Sequence, residues 1–501
     1  MKIQSSDRLY APCLYLYAFQ LADRSQKPED HIIYQQCENL LQNFKSPADT
    51  RNNPHSPQGN SSNTLHFSYN MTAQKSDRRF SGKITVNQDE YPVWGSAHNQ
   101  QIYDSYSLWF NLHIPERAAG SGKLLEFPVE GLQSFNQNEQ LIIDPKTDKF
   151  LGQTLVLTVL LTDEQKLPGK GIGIGKPDRD YLKSLSNNCI NALFADSDIK
   201  PPFNRDGELF NSPIFEYGLT SDCDCSSDRH VLIWFWQDKQ TEQTYARCQN
   251  KLVDLFFYRH KIIAAYRQSQ SIHESIAEND LKIQQQINHF QLVAKNNSLP
   301  GQALEQFQTQ LISLPKLALD SSQALRSLEA AHNAIAIHTH HYNETVKQIK
   351  SLSPKEQEST EILSHFGQIN APMLERQIKG NLNYFKPGVK IVEQAIASIR
   401  GLIQLEQLQR NPPSENKLLD HQLLENKLIA LAAGLGTAGV CAETSRYIIV
   451  PDNSLKIPLI NLPVRPFLTS FTLSILVGLF SFVAIDRYLN NRTTKNRTTK
   501  K

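Results

Sequence analysis

The sequence predicts an α+β cytosolic domain over residues 1–240, a long helical stalk or bundle over 241–427, and a C-terminal two-helix transmembrane hairpin over 428–488. Three observations predict it. Strand-like and helical runs interleave before Thr241, the pattern of a mixed domain. Apolar residues then recur at three- and four-residue spacing for many turns, as they do along one face of a helix. Finally, Phe467–Ile485 carries no charged residue. At about 1.5 Å per residue such a helix is roughly 28 Å long, close to the hydrocarbon thickness of a bilayer.

The bulk numbers narrow the classes. A chain of 501 residues is long enough for several domains and a sizeable core. A formal net charge of +2 supplies no global basic field, which argues against nucleic acid as a partner. The cysteines Cys13, Cys37, Cys189, Cys223, Cys225, Cys248 and Cys441 are scattered and odd in number, unlike a secreted disulfide framework. The opening MKIQSSDRLYAP lacks an apolar signal-peptide core, so the bulk of the chain is expected in the cytoplasm.

In the first region, β-formers bunched from Leu14 to Phe19 predict a buried strand within Leu9 to Leu21. Ile32, Ile33, Cys37, Leu40, Leu41 and Phe44 predict a helix over 32–44. The stretch 46–63 is polar and rich in Pro and Asn, and is expected to be a disordered loop. Strands are expected at 64–69, 80–86 and 103–114, and a hairpin of 141–144 with 148–162 turning at Pro145-Lys146. A helix over 178–194 and strands at 214–219 and 230–236 complete the domain.

The second region is expected to be helix broken at Asn296 to Gly301, at Pro315, near Pro372, at Pro387-Gly388 and at Asn411-Pro412-Pro413. Ser353-Pro354-Lys355-Glu356 has the form of a capping box with Pro at the first helical position.

The first span of the hairpin is placed at 428–450 and the second at 467–485. Ala432/Gly436 and Gly434/Ala438 have the small-xxx-small spacing that favours close helix contact in lipid. The basic tail 489–501, with its NRTTK repeat, predicts both termini on the cytoplasmic side of an integral membrane protein. Thr437 and Thr444 lie seven apart on one helix face, and with Glu443 they are the candidate pore-lining residues.

Candidate chemistry is sparse. Lys170, Gly171, Gly173, Gly175 and Lys176 follow a strong strand and could hold an anion through amides and ammonium groups. Pro177 stands where a phosphate loop needs Ser or Thr, so the stretch reads as a flexible turn or a weak anion loop. Cys223 and Cys225 are too close for ordinary zinc spacing and have no second pair. His338, His340, His341 and Glu344 share a helical stretch but lack the H-E-x-x-H arrangement, and read as surface residues. No nucleophile elbow, metal motif or kinase signature occurs, so the chain is expected to be no enzyme and to carry no cofactor or metal.

The order of elements, together with TYARCQNKLVDLFFYRHKIIAAY where the last strand passes into long helices, resembles the CorA-like two-transmembrane channel superfamily. The family's Gly-Met-Asn tripeptide is absent; Cys441 to Tyr447 reads CAETSRY at that place. The resemblance implies a homo-oligomer in the lipid bilayer with an ion path. The alternative is a membrane-tethered sensor, scaffold or effector whose soluble domain binds a protein partner or small ligand.

Overall fold

The computed structural model describes residues 7–23, 25, 31–44, 76–118, 122–143, 149–166, 178–218, 229–294, 301–353 and 359–410. Its strands are β1 (Arg8–Leu21), β2 (Ser76–Val86), β3 (Asp89–Ile102), β4 (Ser105–His113), β5 (Glu126–Pro128), β6 (Phe150–Leu160), β7 (Phe203–Leu209), β8 (Ser212–Tyr217) and β9 (Arg229–Trp236). Its helices are α1 (Ile32–Phe44), α2 (Asp163–Lys166), α3 (Arg179–Leu193), α4 (Lys239–Ala294), α5 (Gly301–Leu352), α6 (Glu361–His365) and α7 (Ala371–Arg410). A 3₁₀ segment spans Val129–Phe135, and a π-helical turn, Phe366–Asn370, joins α6 to α7.

The nine strands form one sheet in the order β2-β3-β4-β1-β6-β9-β8-β7, with β5 paired to β1. Its described pairings are antiparallel except β6 with β9, whose strands are linked through α3, β7 and β8. The sheet buries both faces. Leu14, Leu16 and Ala18 of β1 join Ile33, Cys37, Leu40 and Leu41 of α1 and Leu182, Leu185 and Leu193 of α3 in one apolar core. The alternate residues Tyr15, Tyr17 and Phe19 meet Tyr245, Phe256 and Phe257 of α4 at ring separations of 5.1–5.7 Å. This two-sided burial explains why β1 and β6 read as nearly continuous apolar runs and not as alternating ones.

The predicted helix over 32–44 has the bounds of α1, and the 178–194 prediction matches α3, where Asp178 caps the amides of Asp180 and Tyr181. Strand β3 was not foreseen, because DEYPVWGSAHNQQI carries Pro, Gly and many polar residues. Pro92 is tolerated since β4 pairs β3 only from Trp94 onward, so its missing amide removes no bond on that side. Residues 141–143 of the expected arm form no strand, and 144–148 lie outside the described residues. The Gln153 side chain accepts from Ile143 N (2.8 Å) and donates to Leu141 O (3.1 Å), tying that segment to β6 by an amide in place of a ladder.

Two expected helix breaks are also corrected. α5 continues through Pro315 and α7 through Pro387. An interior proline costs about 3 kcal/mol. Beside these two, Leu314, Phe385 and Val392 are buried, which offsets that cost. The predicted interruption near Pro372 is the π-helical turn. The strand expected at 64–69, the loop 46–63, residues 354–356 of the capping box and the break at 411–413 lie outside the described residues.

The transmembrane hairpin is corrected as well. Among the described residues no helix is long and apolar enough to cross a membrane, and 428–450, 467–485 and 489–501 lie outside them. The long helices carry charge in successive turns, as at Arg247, Lys251, Asp254, Arg259 and Lys261 of α4, which bars them from hydrocarbon. The integral-membrane placement with both termini cytoplasmic thus has no structural support.

The chain divides into two compact units, 1–271 with 329–380, and 272–328 with 381–501. The first holds the sheet. The second holds stretches of α4, α5 and α7, whose Ile283, Leu314, Val392, Ile399 and Ile403 form a core of their own.

Candidate functional site: a buried polar row across the sheet

Strand register lines up polar side chains inside the first unit. Thr154 of β6 is the direct partner of His230 in β9, and Arg205 of β7 is the direct partner of Glu216 in β8. Glu216 pairs with Leu232, two residues beyond His230, so the two side chains share a face diagonally. The row continues in β1, where Tyr17 is the partner of Thr154, and in β4, where Trp109 is the partner of Tyr17.

From Thr154 to Arg205 the row is hydrogen-bonded. Thr154 Oγ1 lies 2.9 Å from His230 Nδ1 and 2.9 Å from His260 Nε2 of α4. His230 Nε2 is 3.2 Å from Glu216 Oε1, and Arg205 Nε donates to Glu216 Oε2 at 2.6 Å. Tyr17 and Tyr245 share a hydroxyl bond of 2.9 Å. A threonine hydroxyl has one proton, so it donates to one imidazole and accepts from the other. With His230 neutral, Glu216 takes the Nε2–H, the Thr154 hydroxyl donates to Nδ1, and His260 Nε2–H donates to Thr154. Protonation of His230 would reverse the middle of that chain.

Burial alone would raise the Glu216 carboxyl. The His230 hydrogen bond, the His230 charge when that ring is protonated, and the charges of Arg205 and Arg259 outweigh it and hold the group at about 2. Burial raises the Tyr17 and Tyr245 hydroxyls far above their ordinary range, and it raises the Cys13 and Cys248 thiols to about 12. None of these is a ready nucleophile at neutral pH. The Arg259 guanidinium sits 4.9 Å over the Phe366 ring of the π-helical turn, and the Tyr342 ring of α5 meets the same ring at 5.2 Å, tilted by 58°. Tyr342 Oη donates to Leu363 O (2.8 Å), so the row, α4, α5 and the π-helical turn form one packed assembly.

A second cluster lies on α4, α5 and the β3–β4 turn. Tyr258 stacks against His338 at 6.0 Å and His341 at 5.2 Å, both within 26° of parallel. Lys261 Nζ donates to Asp104 Oδ2 at 2.6 Å, and the Tyr258 hydroxyl is 3.5 Å from that of Tyr103. Of the predicted histidine group, His338 and His341 are thus ring partners of a tyrosine, while Glu344 turns to Lys347 at 2.7 Å. No group of three metal-ligating side chains occurs among the described residues.

The candidate pore residues Thr437, Glu443 and Thr444, the anion loop Lys170, Gly171, Gly173, Gly175 and Lys176, and the Cys223/Cys225 pair all lie outside the described residues. Sequence reasoning missed the polar row. Its only traces are His230 leading an apolar run and the Arg259-His260-Lys261 triplet inside one. A surface recess of about 300 Å³ is lined by Gln36, Asn39, Leu40, Gln42 and Gln140, and none of the row residues reaches it. Comparison with protein-family models, curated proteins and solved structures finds no match for this chain.

Proposed function

We propose that this protein is a non-catalytic scaffold or sensor, whose sheet domain sets the position of helix α4 and binds a protein partner or small ligand. The reading rests on one observation. Among the described residues, the acid–base side chains that cluster together, His230, Glu216 and His260 with Thr154 between them, are buried and hydrogen-bonded in one chain. A general acid or base must reach a substrate proton within hydrogen-bond distance, and these groups spend that capacity on fixing α4 to the sheet.

The ion-channel reading rests on the membrane hairpin, which no helix among the described residues supports, so it stands behind the scaffold reading. Metabolite profiling of the purified full chain tests the scaffold reading. The expected result is no consumption of any metabolite, together with a partner crosslinked at fixed stoichiometry. Turnover that disappears in a folded His230→Gln variant would overturn it.

A further inference from the structure

We propose that Tyr258, His338, His341, Lys261 and Asp104 form an acid-sensitive latch, which releases helix α5 from α4 and the β3–β4 turn when His338 takes a proton.

The geometry makes His338 the sensitive member. Its ring stacks on Tyr258 as a half-buried, largely apolar contact. No described residue offers its buried Nδ1 a hydrogen-bond partner, so a proton placed there has no acceptor. The groups around it are Lys261 and Tyr258 from α4, Asp104 and Tyr103 from the β3–β4 turn, and His340 and His341 on α5 itself. Among these Asp104 is the one carboxylate, and it is already committed to Lys261, whose side chain is only 9% exposed. Two cations would then share one carboxylate that is itself largely exposed, beside the nearly buried Lys261 ammonium, which disfavours the protonated ring.

The electrostatics agree. Burial first, then the Lys261 charge, push His338 down to about 4 against the Asp104 charge, with His341 adding to the lowering. A base whose folded value lies below its ordinary 6.5 contributes its full stability above that value and loses it as pH falls from 6.5 towards 4. The latch is therefore closed at neutral pH and opens in mild acid, in the range of a histidine switch. Rings stacked between α4 and α5, with an ion pair beside them, give the contact two arrangements, packed or released. This inference stands independently of the scaffold reading, since it concerns only how α5 is held.

Hydrogen exchange of the full chain, read on peptides covering 331–345 and corrected for intrinsic exchange, tests it between about pH 7 and about pH 5. Protection in the wild type should fall by about tenfold or more, since one unit of pKa separation is a factor of ten. His338→Phe keeps the stack but cannot titrate, and should hold its protection. His340→Gln changes an exposed neighbour and should behave as the wild type. Unchanged wild-type protection, or an equal loss in His338→Phe, would overturn the latch. Should His338→Phe fold poorly, direct NMR titration of the His338 ring decides. Loss of the Tyr258–His338 ring contact as that ring titrates supports the proposal, and a contact that persists through the titration rejects it.

Discussion

The Thr154 hydroxyl stands 2.9 Å from His260 Nε2, so a side chain in the middle of the sheet is hydrogen-bonded to the helix that covers it. The same oxygen meets His230 Nδ1 at 2.9 Å. Thr154→Val keeps the shape of the side chain and removes both bonds, leaving two buried imidazole nitrogens unsatisfied. Each such loss costs about 1–3 kcal/mol. Urea unfolding should therefore show Thr154→Val destabilised by at least about 1–3 kcal/mol, while Thr154→Ser retains most of the wild-type stability.

Glu216 gives the fold an acid limit. Its folded value of about 2 lies below the ordinary 4.5, so its contribution is complete above 4.5 and is lost as pH falls towards 2. Glu216→Gln removes the carboxylate between Arg205 and His230 and leaves a buried cation without its counter-charge. Breaking a buried pair from one side costs roughly 3–5 kcal/mol. The variant should be much less stable than the wild type at neutral pH, and the two should converge in acid. Parallel thermal melts that keep a constant gap down to about pH 2 would show that Glu216 carries none of this dependence.

Gly152 is held by geometry. Its φ of +149° is rarely adopted by other residues, and an added Cβ would run into His260 Nδ1. Gly152→Ala must strain β6 or displace His260 from Thr154. A loss of about 1–3 kcal/mol is expected. Combined with Thr154→Val it should cost less than the sum, because both changes disturb the same imidazole. A double-mutant cycle by chemical denaturation measures that coupling.

What could be read beforehand depended on whether local chemistry or distant pairing sets an element. Leu14 to Phe19 announces β1 because its neighbours on both faces are apolar, and the spacing of Ile33, Cys37, Leu40 and Leu41 announces α1. β3 stayed hidden because Tyr91, Val93 and Ala97 alternate with residues that disguise a strand. Pro315 and Pro387 mark breaks locally, and the burial of Leu314, Phe385 and Val392 overrides them. The polar row was illegible for a stronger reason. Thr154, Arg205, Glu216 and His230 are separated by up to 76 positions, and only the parallel register of β6 with β9 and the hairpin of β7 with β8 aligns them. Spacing along the chain carries no trace of a row built across strands.

Asp254 on α4 tests the opposite sign. Burial raises its carboxyl above 3.8, and Lys251, whose Nζ is 3.7 Å away, only partly restores the charged form. A carboxyl raised in the folded state favours its neutral form there, so its charge at neutral pH works against the fold. Asp254→Asn keeps size and helix propensity while removing that charge. It should stabilise the chain by about 0.5–1 kcal/mol at neutral pH, within the range of single favourable surface or boundary changes. The gain should vanish in acid, where the wild-type carboxyl is already neutral. Urea midpoints at neutral pH and near pH 3 measure both limbs. An Asn variant weaker than the wild type at neutral pH would mean that the Lys251 contact outweighs desolvation.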